Sequence, residues 1–297
     1  MSALVGGAAL TAFTSCNNAS KETASTEENK STAVLRFSAI PDEDTTAQAA
    51  RYQPVADYLT KTLGVKVEFV ASPSYSASVQ KFAGGDIQLA WFGGVSGVEA
   101  RKAVSGAQAI VSGEADLNFK SYFIAHTSTG LTRSESFPTA IKDLSFTYGS
   151  SGSTSGCIMP SHFIMEESGQ SPQEFFSKPF GFAGSHDKTA EQVNNGTYQV
   201  GALNFKTYDK GIASGKLSKD NCIVIWETPT YADYNMTAHP VLNEQFGADF
   251  ITKLQTALVE CDDAAALGAL KRAKLVKVDN ATFAGIASVM EKVNFKK

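Results

Sequence analysis

A chain of 297 residues that is 43% hydrophobic has the apolar material for one large or two medium domains. Its formal net charge is −4, from 26 Lys and Arg against 30 Asp and Glu, and no basic block or stripe occurs. That balance argues against nucleic acid as a partner, because neutralising phosphates needs clustered cations. Any anion bound here has to be held by local dipoles and hydrogen bonds.

Residues Ala3 to Phe13 are apolar or small, and Thr14-Ser15-Cys16 then leads into Asn17-Asn18. A short apolar run followed by small residues and a cysteine resembles a bacterial lipoprotein signal, whose cysteine is lipidated and becomes the first residue. Asn17 to Thr32 holds Ser, Thr, Glu, Lys and Asn with almost nothing apolar, which is a tether composition. The expectation is a signal over 1–16, lipid on Cys16, a tether over 17–32, and a protein anchored at the extracytoplasmic or periplasmic face of a bacterial membrane. No other segment is long and apolar enough to span a bilayer.

From Val34 the chain alternates strands and helices. Val34 to Ile40 reads as a strand, and Ala47 to Leu63 as an amphipathic helix with Tyr52, Val55, Tyr58, Leu59 and Leu63 on one face, stopped by Gly64. Val65 to Val70 is a strand, Ser74 to Phe82 a short helix, Ile87 to Phe92 a buried strand and Val95 to Val104 a helix. Strands follow at Gln108 to Val111 and Tyr122 to His126. The rhythm restarts at Leu144 with a strand, a helix over Met159 to Ser168, a strand near Pro179 to Phe182, a helix over Lys188 to Asn194 and a strand over Gln199 to Leu203. Ile223 to Trp226 is another strand. Helical patterns cover Pro240 to Leu258, Asp262 to Leu270 and a last stretch from Thr282. Repeated β-α-β units predict two α/β domains with mostly parallel sheets.

Between Phe146 and Pro160 an apolar strand pattern runs into Gly149-Ser150-Ser151-Gly152-Ser153-Thr154-Ser155-Gly156 and then into a helix. A strand–loop–helix unit of this kind aims backbone N–H groups, the positive end of the helix dipole and several hydroxyls at one point. It is a site for an oxyanion, with no cationic side chain in the loop itself. Four cysteines, Cys16, Cys157, Cys222 and Cys261, show no C-x-x-C spacing, and the sequence leaves open whether any of the last three pair. His126, His162, His186 and His239 lack the i, i+4 spacing of a metal helix, so no metal or cofactor is expected.

Four stretches resemble the phosphonate-type periplasmic substrate-binding proteins of ABC importers. They are Arg51-Tyr52-Gln53-Pro54-Val55-Ala56-Asp57-Tyr58-Leu59, Gly85-Asp86-Ile87-Gln88-Leu89-Ala90-Trp91-Phe92-Gly93, Ser153-Thr154-Ser155-Gly156 before a helix, and Gly184-Ser185-His186. The resemblance implies an α/β, type 2 periplasmic binding protein fold with two lobes joined by a two-segment hinge. Lobe 1 would comprise 33–126 and 231–297, and lobe 2 would comprise 127–230, with crossings near Ala125 to Gly130 and Glu227 to Asp233. It also implies a small phosphorus oxyanion as ligand, and a permease and ATPase as partners.

Carried over by position, Ser153, Thr154 and Ser155 would hold phosphoryl oxygens. His186 would donate to the same group, which a neutral or a protonated imidazole can do, the anion favouring the protonated form, and Tyr75 would contribute from the first lobe. Phe92 stands where relatives carry tyrosine, and reads equally as a ligand contact or a strand-end core aromatic. Relatives that bind aminoalkyl phosphonates place an acid where this chain has Asn204, and a second acid matches Asp233. With one carboxylate missing, an ammonium loses a charge-assisted partner, so phosphate, phosphite or an alkyl phosphonate fits better. A hydrolase reading fails on Gly152-Ser153-Thr154-Ser155-Gly156, whose central residue is threonine where an elbow nucleophile would be serine. Transport and ligand sensing through a membrane receptor both remain open to a protein of this kind.

Overall fold

The short apolar runs pair into two separate mixed sheets, each flanked by helices that cover its apolar faces. The computed structural model describes residues 33–43 and 46–293. The expected signal, the tether and Cys16 lie outside the described residues. The first stretch contains β1 (Leu35–Ala39), α1 (Gln48–Leu63), β2 (Val67–Phe69), α2 (Tyr75–Ala83), β3 (Leu89–Phe92), α3 (Gly94–Ala103) and β4 (Gln108–Gly113). Next come β5 (Ser121–His126), β6 (Phe146–Tyr148), α4 (Met159–Ser168), α5 (Pro172–Phe175), β7 (Gly181–Phe182), α6 (His186–Asn194), β8 (Val200–Asn204), α7 (Phe205–Ala213) and β9 (Cys222–Glu227). The chain then runs through β10 (Asn235–Ala238), α8 (Val241–Phe246), α9 (Phe250–Val259), α10 (Ala264–Leu270), β11 (Leu275–Lys277) and α11 (Ala284–Lys292).

The first sheet has the order β11-β4-β10-β3-β1-β2 and the second β7-β6-β8-β5-β9. Pairing is parallel along β2-β1-β3 and β7-β6-β8, and antiparallel elsewhere. The sheets are therefore mixed, where the β-α-β rhythm predicts mostly parallel ones. The difference lies in β5 and β10, the strands on which the chain enters each sheet from the other, which run against both their neighbours, and in the edge strand β11, which runs against β4.

The chain crosses from the first sheet to the second between Gly113 and Ser121, and returns between Glu227 and Asn235. The expected first crossing near Ala125 to Gly130 is thus misplaced, because Ser121–His126 is already a strand of the second sheet. The two crossings are bonded to each other. Phe119 and Tyr231 exchange backbone hydrogen bonds of 2.8 and 2.9 Å, and the Asp233 N–H donates to the Asp116 carbonyl at 2.9 Å.

The apolar core runs without a break from the first sheet to one face of the second, through Phe119, Tyr231 and Phe163. A smaller cluster under the other face gathers Tyr122, Ile124, Val193, Leu203 and Tyr208. Trp226 packs edge-on against Phe123 and Phe137, with ring centroids 5.3 and 5.2 Å apart, inside the second sheet's core. The helix expected over Pro240 to Leu258 is two helices, broken at Gly247 with φ +113°, a conformation that glycine adopts without strain. Cys157, Cys222 and Cys261 are all free thiols.

Candidate functional site

Strand β6 ends at Tyr148, and the chain turns through Gly149 to Ser153 into a wide π turn, Thr154–Ile158, that feeds α4. Such turns recur at functional sites because they free backbone groups from the regular ladder. Ser153 caps this one, its Oγ accepting the Gly156 N–H at 3.0 Å and its carbonyl the Ile158 N–H at 3.0 Å. The amides of Thr154 and Ser155 open the turn, where a helix offers no preceding carbonyl to bond.

His186 is the first residue of α6 and is 1% exposed. Its Nδ1 accepts the Asn204 backbone N–H at 3.3 Å, so Nε2 carries the ring proton. That Nε2 lies 3.4 Å from Ser153 Oγ. Burial lowers the imidazole pKa, with Asp42, Glu43 and Asp187 pulling the other way. Of the two forms able to donate, the protonated one is thus disfavoured in the free protein, which leaves a neutral ring with its Nε2–H available as a donor. Gly156 is what lets ring and serine meet, since a Cβ there would lie 2.9 Å from both His186 Cε1 and Ser153 Oγ.

The first sheet supplies the facing wall. Ser74 caps α2 by accepting the Ala77 N–H at 3.1 Å. That cap places Tyr75 in the first turn and against the oxyanion loop, where a Cβ on Gly152 would lie 3.2 Å from Tyr75 Cβ. The amides at the N-terminus of α3 are divided between the two walls: Gly94 N–H donates to Asp233 Oδ1 at 2.9 Å, and Val95 N–H to Thr154 Oγ1 at 3.0 Å. Gly93 permits the approach, because a Cβ would sit 3.1 Å from Thr154 Oγ1 and 3.3 Å from Asp233 Oδ1. Ser155 is pinned from behind, its carbonyl accepting the Ser121 hydroxyl at 2.7 Å.

Asp233, on the returning crossing, is 1% exposed, and its Oδ2 meets no hydrogen-bond partner among the described residues. Burial raises its pKa to about 7, against the lowering effect of the Gly94 amide and the Thr154 and Ser155 hydroxyls. A buried carboxyl oxygen without a partner is costly. Here that oxygen lies on a carboxyl that sits beside the Gly94 amide and the Thr154 and Ser155 hydroxyls.

Asn204 is also buried, but its carbonyl is committed to capping α7, accepting the Thr207 N–H at 2.7 Å. Its Nδ2 reaches the Tyr234 hydroxyl at 3.5 Å, and that hydroxyl donates to Asp42 Oδ2 at 3.0 Å. The structure therefore gathers Tyr75, Ser153, Thr154, Ser155, His186, Asn204 and Asp233. Phe92 stands apart: it is fully buried and packs edge-on against Phe82 at 5.6 Å. Strand alternation turns it away from the face on which Trp91 stacks over Tyr234 at 5.9 Å. Sequence reasoning missed Asp42, Gly94 and Tyr234. The Gly93-Gly94 pair between strand and helix is a readable signal for exposed amides, whereas nothing local marks an acid or a tyrosine as buried.

Two α/β lobes, joined by two crossing segments and closed over a cluster of hydroxyl, amide and imidazole donors, define a type 2 periplasmic solute-binding protein. The chain belongs to the family of ABC transporter phosphonate periplasmic substrate-binding proteins, whose model matches residues 37–283. It is 34% identical over 231 residues, 77% of each chain, to the probable ABC transporter phosphite binding protein PhnD1 of Prochlorococcus marinus (strain MIT 9301). It is 29% identical over 254 residues, covering 82% of this chain and 77% of the relative, to the phosphate-import protein PhnD of Mycolicibacterium smegmatis. The solved structure of PhnD1 from Prochlorococcus marinus in complex with methylphosphonate superposes with a TM-score of 0.82 at 30% identity, covering 88% of this chain and 98% of that one.

Proposed function

We propose that this protein captures a small phosphorus oxyanion (phosphite, phosphate or a short alkyl phosphonate) between its lobes and delivers it to an ABC permease and ATPase. The observation that carries this reading is the partnerless Asp233 Oδ2 set beside the Thr154 and Ser155 hydroxyls and opposite His186. An oxyanion that keeps one proton satisfies the whole set, with its unprotonated oxygens on the amides, hydroxyls and Nε2–H and its P–OH on the carboxylate. Charge-assisted bonds of this kind are roughly twice as strong as neutral ones. Relatives named for phosphite and for phosphate, and one solved in complex with methylphosphonate, support the same ligand class.

The histidine supports binding over catalysis. A serine nucleophile needs a base whose far nitrogen donates to an orienting acceptor. His186 is wired the opposite way, with Nδ1 accepting an amide proton and Nε2–H facing Ser153. It cannot take the serine proton in that tautomer. The lobes are assigned to 33–113 with 235–293, and to 121–227. Cys16 is assigned as the lipid-bearing residue that holds the protein at the extracytoplasmic membrane face; mass spectrometry of the membrane-extracted protein should find an acylated cysteine at its N-terminus, and an unmodified Cys16 there would refute the anchor.

Calorimetric titration with phosphite, methylphosphonate, phosphate, aminoethylphosphonate and sulfate tests the ligand class. The first three should bind well, and sulfate, which carries no proton at neutral pH, weakly or not at all. Tight sulfate binding with no response to phosphorus oxyanions would overturn the assignment.

A further inference from the structure

Asn204, the cap of α7, and Lys206 and Thr207 in its first turn all touch the first lobe or the hinge, and only Asn204 among the three adjoins the ligand site. Lys206 Nζ lies 3.4 Å from Asp116 Oδ1, and Thr207 Oγ1 donates to Glu43 Oε1 at 3.1 Å. Asp116 belongs to the first crossing segment and has no exposed side-chain surface. Its other oxygen is taken by Arg272 Nε, from the segment after α10 in the first lobe. One buried carboxylate thus holds a cation from each lobe at the pivot between them.

The surroundings are built for this arrangement. A methyl group on Gly113 would overlap the Asp116 carboxylate and come within 2.6 Å of Arg272 Cδ. Arg272 lies over the Tyr234 ring at 4.7 Å, and Lys206 over the Phe119 ring at 5.6 Å. Glu43 is fixed in turn by Lys271 and by Arg51, the latter at 3.9 Å. A buried carboxylate costs free energy unless it is paired, and Asp116 is fully paired only while α7 rests against the hinge.

We propose that the first turn of α7 is a clasp that sets how much of the protein is closed, with Lys206 as its positioning residue acting through Asp116. Lys206 reaches the ligand through the lobe equilibrium rather than by contact: a ligand that binds only the closed form is held more weakly when that form is less populated. The inference rests on the proposed capture of the ligand between the two lobes.

Stopped-flow measurement of methylphosphonate release, with small-angle X-ray scattering of the free and saturated protein, tests it on Lys206→Met, Lys206→Arg and Thr207→Val. Lys206→Met should speed release roughly tenfold, a typical coupling between two elements. It should also enlarge the radius of gyration of the free protein and leave that of the saturated protein unchanged. Lys206→Arg should restore wild-type release, which a generic packing defect would not do. Thr207→Val should give a smaller change in the same direction, and serves alone if Lys206→Met does not fold. Release within twofold of wild type in both variants, with unchanged scattering, would overturn the clasp. If the wild type binds no phosphorus oxyanion, the ligand assignment falls, and the free-protein scattering of the variants still decides for or against the clasp.

Discussion

Gly156→Ala separates folding from binding at this site. The position lies in a helical turn, where alanine is intrinsically better than glycine by roughly 0.5–1 kcal/mol, so the local backbone gains from the change. The added Cβ, however, would stand 2.9 Å from His186 Cε1, 2.9 Å from Ser153 Oγ and 3.2 Å from Ser153 Cβ. Neither neighbour is a free-swinging tip. His186 is clamped by the Asn204 amide, and Ser153 is engaged by the Gly156 amide. One of the two must move, and with it a donor to the oxyanion. A lost hydrogen bond to a charged group is worth about 1.5–3 kcal/mol, which is a tenfold to more than hundredfold loss of affinity. Calorimetry with phosphite or methylphosphonate should show that loss, while the thermal midpoint of the unliganded protein stays within a few degrees of wild type. Wild-type affinity in Gly156→Ala would mean that Ser153 and His186 are not the donors.

Asp233 supplies a pH test with a definite sign. Its pKa rises from 3.8 to about 7 on folding, so between those values the folded state holds the extra proton and stability falls as pH rises. Asp233→Asn should flatten that fall in thermal scans run from pH 4 to pH 7, and an unchanged profile would show that the carboxyl ionises normally. Asn204→Asp keeps the α7 cap and places a carboxylate at a helix N-terminus, where it is favoured; calorimetry should then show a selective gain for aminoethylphosphonate over methylphosphonate, and equal change for both would remove Asn204 from the ligand's organic end. Trp91, stacked on Tyr234, should report ligand by fluorescence, so Trp91→Phe should lose the signal and Trp226→Phe keep it. The reverse result would place the moving aromatic in the second lobe.

The sequence carried the oxyanion loop because its information is local: glycines and hydroxyls between a strand pattern and a helix pattern point donors at one spot. The same holds for α1, whose buried Tyr52, Val55 and Leu59 follow helical spacing. What stayed hidden depended on distant partners. The spacing of Leu242, Phe246, Phe250, Leu254 and Leu258 continues in steps of four across Gly247, so one helix was expected where the chain breaks. Helix α7 is short and carries Gly211 inside it, and β10 is buried on both faces without alternation. Phe92 and Trp91 are neighbours in sequence, yet strand alternation sends one into the core and the other toward Tyr234. The tautomer of His186 and the raised pKa of Asp233 come from the backbone of Asn204 and from burial between two lobes, which no local pattern encodes.

The central claim is that Thr154 and His186 hold the oxyanion, and side-by-side calorimetric titration of wild type and the Thr154→Ala, His186→Ala double variant tests it most directly. Phosphite and methylphosphonate should bind the wild type with one site per chain, and the variant at least a hundredfold more weakly, since two bonds to a charged group are removed at roughly 1.5–3 kcal/mol each. Equal affinity in the two proteins would place the ligand elsewhere and contradict the account.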